Sequence, residues 1–213
     1  MLLQLALDMI DVEQGLELAG LVEKTIDIIE IGTPFIIRDG MAPVRRFCAA
    51  FPKLSILADI KIMDAGRHEA RIAIEAGASI LTVLGVADDI TIRAAIEEAH
   101  KASRKVMVDM ICVKEMEKRT KEVDALGADY ICAHTAYDIQ RTGRDPLEEL
   151  KLIKANLTHA QAAVAGGVTL DNIAAIAAER PAIVVIGGGI TGQREPAATA
   201  EKMKEIIEMV GKA

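Results

Sequence analysis

The stretch Ser55 to Leu84, SILADIKIMDAGRHEARIAIEAGASILTVL, holds one strand, one helix and the start of the next strand. SILADI, Ser55 to Ile60, is β-rich and nearly continuously apolar, as a strand covered on both faces reads. HEARIAIEAGA follows, with an apolar stripe on one side and charge on the other, the pattern of a surface helix. Gly77-Ala78 supplies the glycine that ends such a helix, and SILTVL, Ser79 to Leu84, begins the next strand.

The same unit recurs outward in both directions. Strand-like runs lie at LLQLAL (Leu2 to Leu7), IDIIEI (Ile26 to Ile31), KVMVDMI (from Lys105), DYICAH (from Asp129), AQAAVA (from Ala160) and AIVVIG (from Ala182). Between them, TIRAAIEEAHKAS, EMEKRTKEVDALGA and PAATAEKMKEIIEMV carry helical spacing, and Gly127-Ala128 repeats the Gly77-Ala78 punctuation. Asp145-Pro146 and Glu195-Pro196 read as helix starts, with proline in the first turn. Eight units of this kind predict one α/β domain over residues 1–213, a single (β/α)8 TIM barrel with short loops. A doubly wound open sheet is the competing architecture.

Composition agrees with layered αβ packing. The 213 residues are 51% hydrophobic but only 2% aromatic and contain no Trp, so Ile, Val, Leu, Ala and Met must fill the core. A net charge of -7 argues against nucleic acid or an acidic membrane surface as the partner, and any phosphate must be held locally. The amino-terminal run meets acidic residues at once and lacks a basic leader, so it does not read as a secretion signal. No run approaches the length of a membrane span. Cys48, Cys112 and Cys132 suit neither a disulfide framework nor a metal knuckle, and a reducing cytoplasmic setting fits them. Cys112 and Cys132, in apolar strand contexts, read as small hydrophobes. His68, His100 and His159 read as surface residues, and KEMEKRTKE as a solvated helix face.

The strands end in ionisable residues: Asp8, Glu30, Asp59 with Lys61, Asp109 and His134. In a barrel these carboxyl ends gather on one face, where barrel enzymes place their chemistry. A buried carboxylate is costly unless paired or metal-bound, so a ring of acids with one lysine calls for a cation, a polar substrate or both. Glu30 and Asp59 can share a hard divalent ion such as Mg²⁺. The last two strands end instead in glycines, Gly166-Gly167 and Gly187-Gly188-Gly189, whose backbone N–H groups can approach a phosphate. Ordinary tight turns are the alternative reading of those glycines.

LALD (Leu5 to Asp8), DIIEIGTPFI (Asp27 to Ile36), LADIKIMDAG (Leu57 to Gly66), TVLGVAD (Thr82 to Asp88), VDMI (Val108 to Ile111), AHT (Ala133 to Thr135) and AVAGG (Ala163 to Gly167) together resemble the 3-hexulose-6-phosphate synthase family. That family is a branch of the orotidine monophosphate decarboxylase suprafamily, whose DxKxxD signature matches Asp59, Lys61 and Asp64. The resemblance implies Mg²⁺-dependent aldol condensation of formaldehyde with D-ribulose 5-phosphate to D-arabino-hex-3-ulose 6-phosphate, with Mn²⁺ as an alternative metal. It implies a homodimer in which Asp64 reaches the partner's site. In its terms Glu30 and Asp59 hold the metal, Lys61 and Asp8 contact substrate oxygens, and Gly167, Gly187 and Gly188 cradle phosphate. His134 is the base expected to take the carbon 1 proton, with Thr33 and Asp109 as second contacts.

The sibling in the suprafamily, 3-keto-L-gulonate 6-phosphate decarboxylase, makes a similar enediolate by losing carbon dioxide. It usually carries an arginine shortly after the strand-six histidine and another in the last phosphate loop. This chain has His134-Thr135-Ala136-Tyr137 and Gly188 there, which favours the synthase and leaves the phosphate to backbone amides, with Arg194 nearby. A non-catalytic sugar-phosphate-binding barrel is the reading from another class.

Overall fold

Eight parallel strands close on themselves in chain order, the last pairing with the first. The strands are β1 (Leu2–Leu7), β2 (Ile28–Ile31), β3 (Ser55–Ile62), β4 (Ile80–Leu84), β5 (Lys105–Asp109), β6 (Tyr130–His134), β7 (Gln161–Ala165) and β8 (Ile183–Ile186). The helices are α1 (Val12–Val22), α2 (Thr33–Asp39), α3 (Ala42–Ala50), α4 (Gly66–Glu75), α5 (Asp89–Lys101), α6 (Met116–Ala125), α7 (Tyr137–Gln140), α8 (Leu147–Asn156), α9 (Ile173–Ala178), α10 (Gly188–Thr191) and α11 (Pro196–Lys212). This computed structural model describes residues 1–140, 142 and 146–212. The β1–β8 pairing excludes the open doubly wound sheet. No described helix is long and apolar enough to cross a membrane.

Strand alternation decides what enters the barrel. Along β1, Leu3, Leu5 and Leu7 belong to the core between barrel and helices, while Ala6 belongs to a second cluster inside the barrel. The same split puts Ile28, Leu57, Ile80, Met107 and Ile183 inside and their neighbours Ile29, Ile56, Leu81, Val106 and Val184 outside. Both faces are therefore apolar, which is why the strands read as continuous runs. Continued toward the carboxyl ends, the inward parity brings Asp8, Glu30, Asp59, Lys61, Thr82, Asp109 and His134 to one mouth.

Gly77 and Gly127 adopt φ of 101° and 95°, the left-handed turn that ends α4 and α6 before the next strand. Pro196 is the first residue of α11 and Pro146 immediately precedes α8, whereas Asp145 lies outside the described residues. Asp11 and Asp88 cap α1 and α5, accepting from the backbone N–H groups of Gln14 and Ile90 at 2.9 Å each.

The pairing of β3 with β4 contains one irregularity. Ala58 faces Leu81 and Ile62 faces Val83, so Asp59, Ile60 and Lys61 together oppose Thr82. Within this bulge Lys61 takes φ of 45°, a conformation that costs a non-glycine residue about 1 to 2 kcal/mol. The excess is even, so inward parity is kept on both sides of it.

Gly66 opens α4 where that helix meets α5. A Cβ there would lie 2.2 Å from the Thr91 carbonyl oxygen, which is backbone and cannot swing away. Gly66→Ala is expected to destabilise the fold by about 1 to 3 kcal/mol, opposite in sign to the usual gain from Gly→Ala in a helix. Urea denaturation midpoints measure it, and an unchanged or raised midpoint would refute the close approach.

One reading of the cysteines is corrected. β5 ends at Asp109, not Ile111, and Cys112 is exposed in the following turn with φ of 64°. The chain turns there because the Ile111 N–H donates to Asp109 Oδ1 at 2.9 Å, a local bond that competes with strand continuation. Cys132 is buried inside the barrel, where burial pushes its thiol well up, and Cys48 is half-buried.

Candidate active site

At the carboxyl mouth, β3, β5 and β6 assemble a chain of charge. Lys61 Nζ donates to Asp59 Oδ2 at 2.6 Å and to Asp109 Oδ2 at 3.1 Å. Asp109 Oδ2 also faces His134 Nδ1 at 2.8 Å, so one carboxylate oxygen joins the ammonium to the imidazole. Asp109 is only 3% exposed, and burial alone would raise its pKa, but His134 and Lys61 bring it down to about 2. Burial alone would lower Lys61, yet Asp59 and Asp109 hold its ammonium well above the usual lysine value. Burial also works against the imidazolium of His134, and Asp109 overcomes it to raise His134 above its ordinary 6.5.

Asp59 is held by hydroxyls as well as by Lys61. Thr33 Oγ1 lies 2.7 Å from its Oδ2 and 2.8 Å from its carbonyl oxygen, and Thr82 Oγ1 donates to its Oδ1 at 2.7 Å. The Thr33 hydroxyl, expected as a substrate contact, is thus turned onto Asp59, and Asp109 serves as the junction between Lys61 and His134.

Glu30 on β2 and Asp8 after β1 lie at the same mouth, on the strands that precede β3 around the barrel. Gln4 Nε2 donates to Glu30 Oε2 at 2.6 Å inside the barrel, and Gln4 Oε1 is buried without a partner. Burial, then Asp59 and Asp8, push Glu30 well above the usual carboxylate range; burial, then Asp59, raise Asp8. Two acids, Glu30 and Asp8, raised by burial and by the negative charge beside them fit a cation, which would relieve the repulsion. Among the described residues no donor meets Glu30 Oε1, which leaves that oxygen for a ligand. No three His, Cys, Asp or Glu side chains among the described residues enclose a metal by themselves. Mg²⁺ does not require that, since it takes one or two carboxylates and completes its shell with water and substrate oxygens.

Gly166 and Gly167, after β7, have φ of 87° and 76°. Gly187 precedes the short turn α10, and a Cβ on Gly188 would meet nothing within 4 Å, so its backbone faces open space. Arg194 is exposed beyond that turn. Asp64 stays outside the network: it is exposed, and its carboxylate accepts from the Ala65 N–H at 2.7 Å. His68 and His159 are exposed, and so is His100, which bonds Asp129 at 2.9 Å.

Thr82 and Gln4 were missed from the sequence. Each had a signal, a polar residue at an inward position of an otherwise apolar strand, but only the cross-strand contacts reveal what it binds.

A closed barrel with ionisable groups ending its early strands and glycines its late ones defines the class, and residues 1–203 match the Orotidine 5'-phosphate decarboxylase / HUMPS family, to which the chain belongs. It is 51% identical over 205 residues to 3-hexulose-6-phosphate synthase of Bacillus subtilis (strain 168), covering 96% of this chain and 98% of that one. The crystal structure of 3-hexulose-6-phosphate synthase from Salmonella typhimurium superposes with a TM-score of 0.97 at 37% identity, covering 99% of this chain and 100% of that one. The crystal structure of 3-keto-L-gulonate-6-phosphate decarboxylase from Vibrio cholerae shares the fold, with a TM-score of 0.86 at 24% identity over 98% of each chain.

Proposed function

We propose that this chain is a lyase that condenses formaldehyde with D-ribulose 5-phosphate to D-arabino-hex-3-ulose 6-phosphate, reversibly and through an enediolate. The observation that carries the reading is the Lys61–Asp109–His134 chain, which pairs a base with a fixed positive charge at the barrel mouth. Full-length similarity to synthases supports the choice of substrate. The reading fails if purified protein with ribulose 5-phosphate, formaldehyde and Mg²⁺ consumes no formaldehyde.

His134 directs Nδ1 to Asp109, which leaves Nε2 as the acceptor for the proton on carbon 1. As that proton leaves, the bonding pair becomes the enediolate, and Asp109 stabilises the imidazolium that forms. The enediolate then bonds to the carbon of formaldehyde as its C=O π pair moves to oxygen, and that oxygen takes the proton back from the His134 imidazolium to become the new hydroxyl, which returns His134 to its neutral form. Lys61 uses two of its N–H donors on Asp59 and Asp109 and keeps the third for a substrate oxygen. Glu30 and Asp59 would hold Mg²⁺ or Mn²⁺, which supplies positive charge for the developing enediolate. Asp8 contacts substrate hydroxyls, and backbone amides of Gly166, Gly167, Gly187 and Gly188 hold the phosphate.

The pH dependence follows from the pair of β5 and β6. The base must be neutral, so kcat/KM rises with pH as His134 loses its proton, on a limb above 6.5 because Asp109 raises it. In Asp109→Asn the raising charge is gone while burial remains, so the limb moves to lower pH. A pH profile of carbon 1 proton exchange measures this, and a stationary limb would remove His134 as the titrating base.

The active form is a homodimer in which the exposed Asp64 of each subunit completes its partner's site beside Lys61. Random mixing of inactive Asp64→Ala and Lys61→Ala chains should restore about a quarter of the parental sites, since only one site of each mixed dimer holds both residues. No recovery would exclude a shared site.

A further inference from the structure

We infer that Thr82 is a positioning residue of this site, whose hydroxyl holds Asp59 and Lys61 of the β3 bulge in their working arrangement. Thr82 is the single β4 residue opposite Asp59, Ile60 and Lys61. Its Oγ1 accepts the backbone N–H of Lys61 at 2.9 Å and donates to Asp59 Oδ1 at 2.7 Å. With the 2.6 Å bond from Lys61 Nζ to Asp59 Oδ2, these contacts close a ring through one backbone amide, one hydroxyl, one carboxylate and one ammonium. Each member fixes another, and the ring is shut off from water at Thr82, which is 3% exposed.

The ring explains how Lys61 sustains a positive φ without being glycine. Its N–H faces a side-chain oxygen at the bulge, and the Thr82 hydroxyl that accepts it is aligned by its own bond to Asp59. Both functions require one small group that accepts and donates together, and a hydroxyl is that group. Threonine also suits a pleated strand, so a purely structural role must be separated from a positioning one. The two roles rank substitutions in opposite order. If packing is what matters, Thr82→Val, equal in shape and favourable in strands, is harmless and Thr82→Ser, which removes a methyl, is worse. If the hydroxyl matters, Thr82→Ser is tolerated and Thr82→Val is not.

The inference deepens the proposed function and rests on it for its kinetic readout, so the experiment has two arms. In the first, kcat and KM for ribulose 5-phosphate are measured with formaldehyde and Mg²⁺. Thr82→Val is expected to lower kcat by about 10- to 100-fold with KM within about threefold, and Thr82→Ser to stay within about threefold of the parent in both. Parental kcat in the valine variant, or a serine variant worse than valine, overturns the inference. In the second arm, crystal structures of the parent and both variants locate Lys61. Departure of Lys61 from the left-handed region, or of Nζ from Asp59, in the valine variant alone supports the inference. An unmoved Lys61 overturns it even if the parent proves to act on another substrate. A valine variant that does not fold while serine folds and retains kcat places Thr82 in the fold rather than the site, and also overturns it.

Discussion

His134→Ala is expected to slow exchange of the carbon 1 proton of ribulose 5-phosphate with solvent by about 10²- to 10⁴-fold, while changing substrate affinity by less than about threefold. The size follows from the geometry. His134 is the side chain at the mouth with one ring nitrogen anchored, 2.8 Å from Asp109, and with the other proposed to accept the proton. Removing it deletes the proposed proton acceptor and leaves Asp109 its bond to Lys61. The amides proposed to hold the phosphate lie after β7 and β8, whereas the imidazole is bonded to Asp109 of β5, so affinity is expected to be spared. Exchange followed by proton NMR in deuterium oxide, beside a binding titration, separates the two. Equal loss of exchange and affinity would make His134 a binding residue.

Lys61→Met is expected to lower kcat by about 10²- to 10³-fold, the range for losing one preorganised donor at a developing negative charge. It also leaves two carboxylates, Asp59 and Asp109, without the cation that joins them. Stability at neutral pH should fall by about 2 kcal/mol, less than for a fully buried pair because the lysine side chain keeps 24% of its exposure. Asp109 and His134 remain bonded, so proton exchange should survive better than carbon–carbon bond formation. Parental kcat would show that the ammonium takes no part in the chemistry, and an unchanged denaturation midpoint would show that the two acids do not depend on it.

The eight-unit architecture was legible because its signals are local. Apolar runs, helical stripes and glycines such as Gly77 and Gly127 report the conformation of their own segments, and eight repetitions favour a closed barrel over the open sheet that the β1–β8 pairing excludes. The ionisable strand ends were legible for the same reason. Asp8, Glu30, Asp59, Asp109 and His134 follow from strand parity, a period of two that can be counted along the chain. The turn at Cys112 was not read correctly, because Met110 and Ile111 continue the apolar run while the Asp109 carboxylate draws the Ile111 amide out of the strand.

By itself, the sequence determined the eight βα units, the strand ends at which chemistry collects and the residue types brought there, since each depends on periodicity and local backbone preference, while the β1–β8 pairing decided closure. Only the tertiary structure decided which of those residues are joined. Lys61 and Asp109 are 48 positions apart and His134 and Asp109 are 25 apart, so their bonds depend on strand order and stagger, which no spacing encodes. The bulge that sets three residues of β3 against Thr82 is likewise a matter of register between two strands. Periodicity fixes the face on which a side chain lies, whereas hydrogen bonding between strands fixes its height, and the site depends on both.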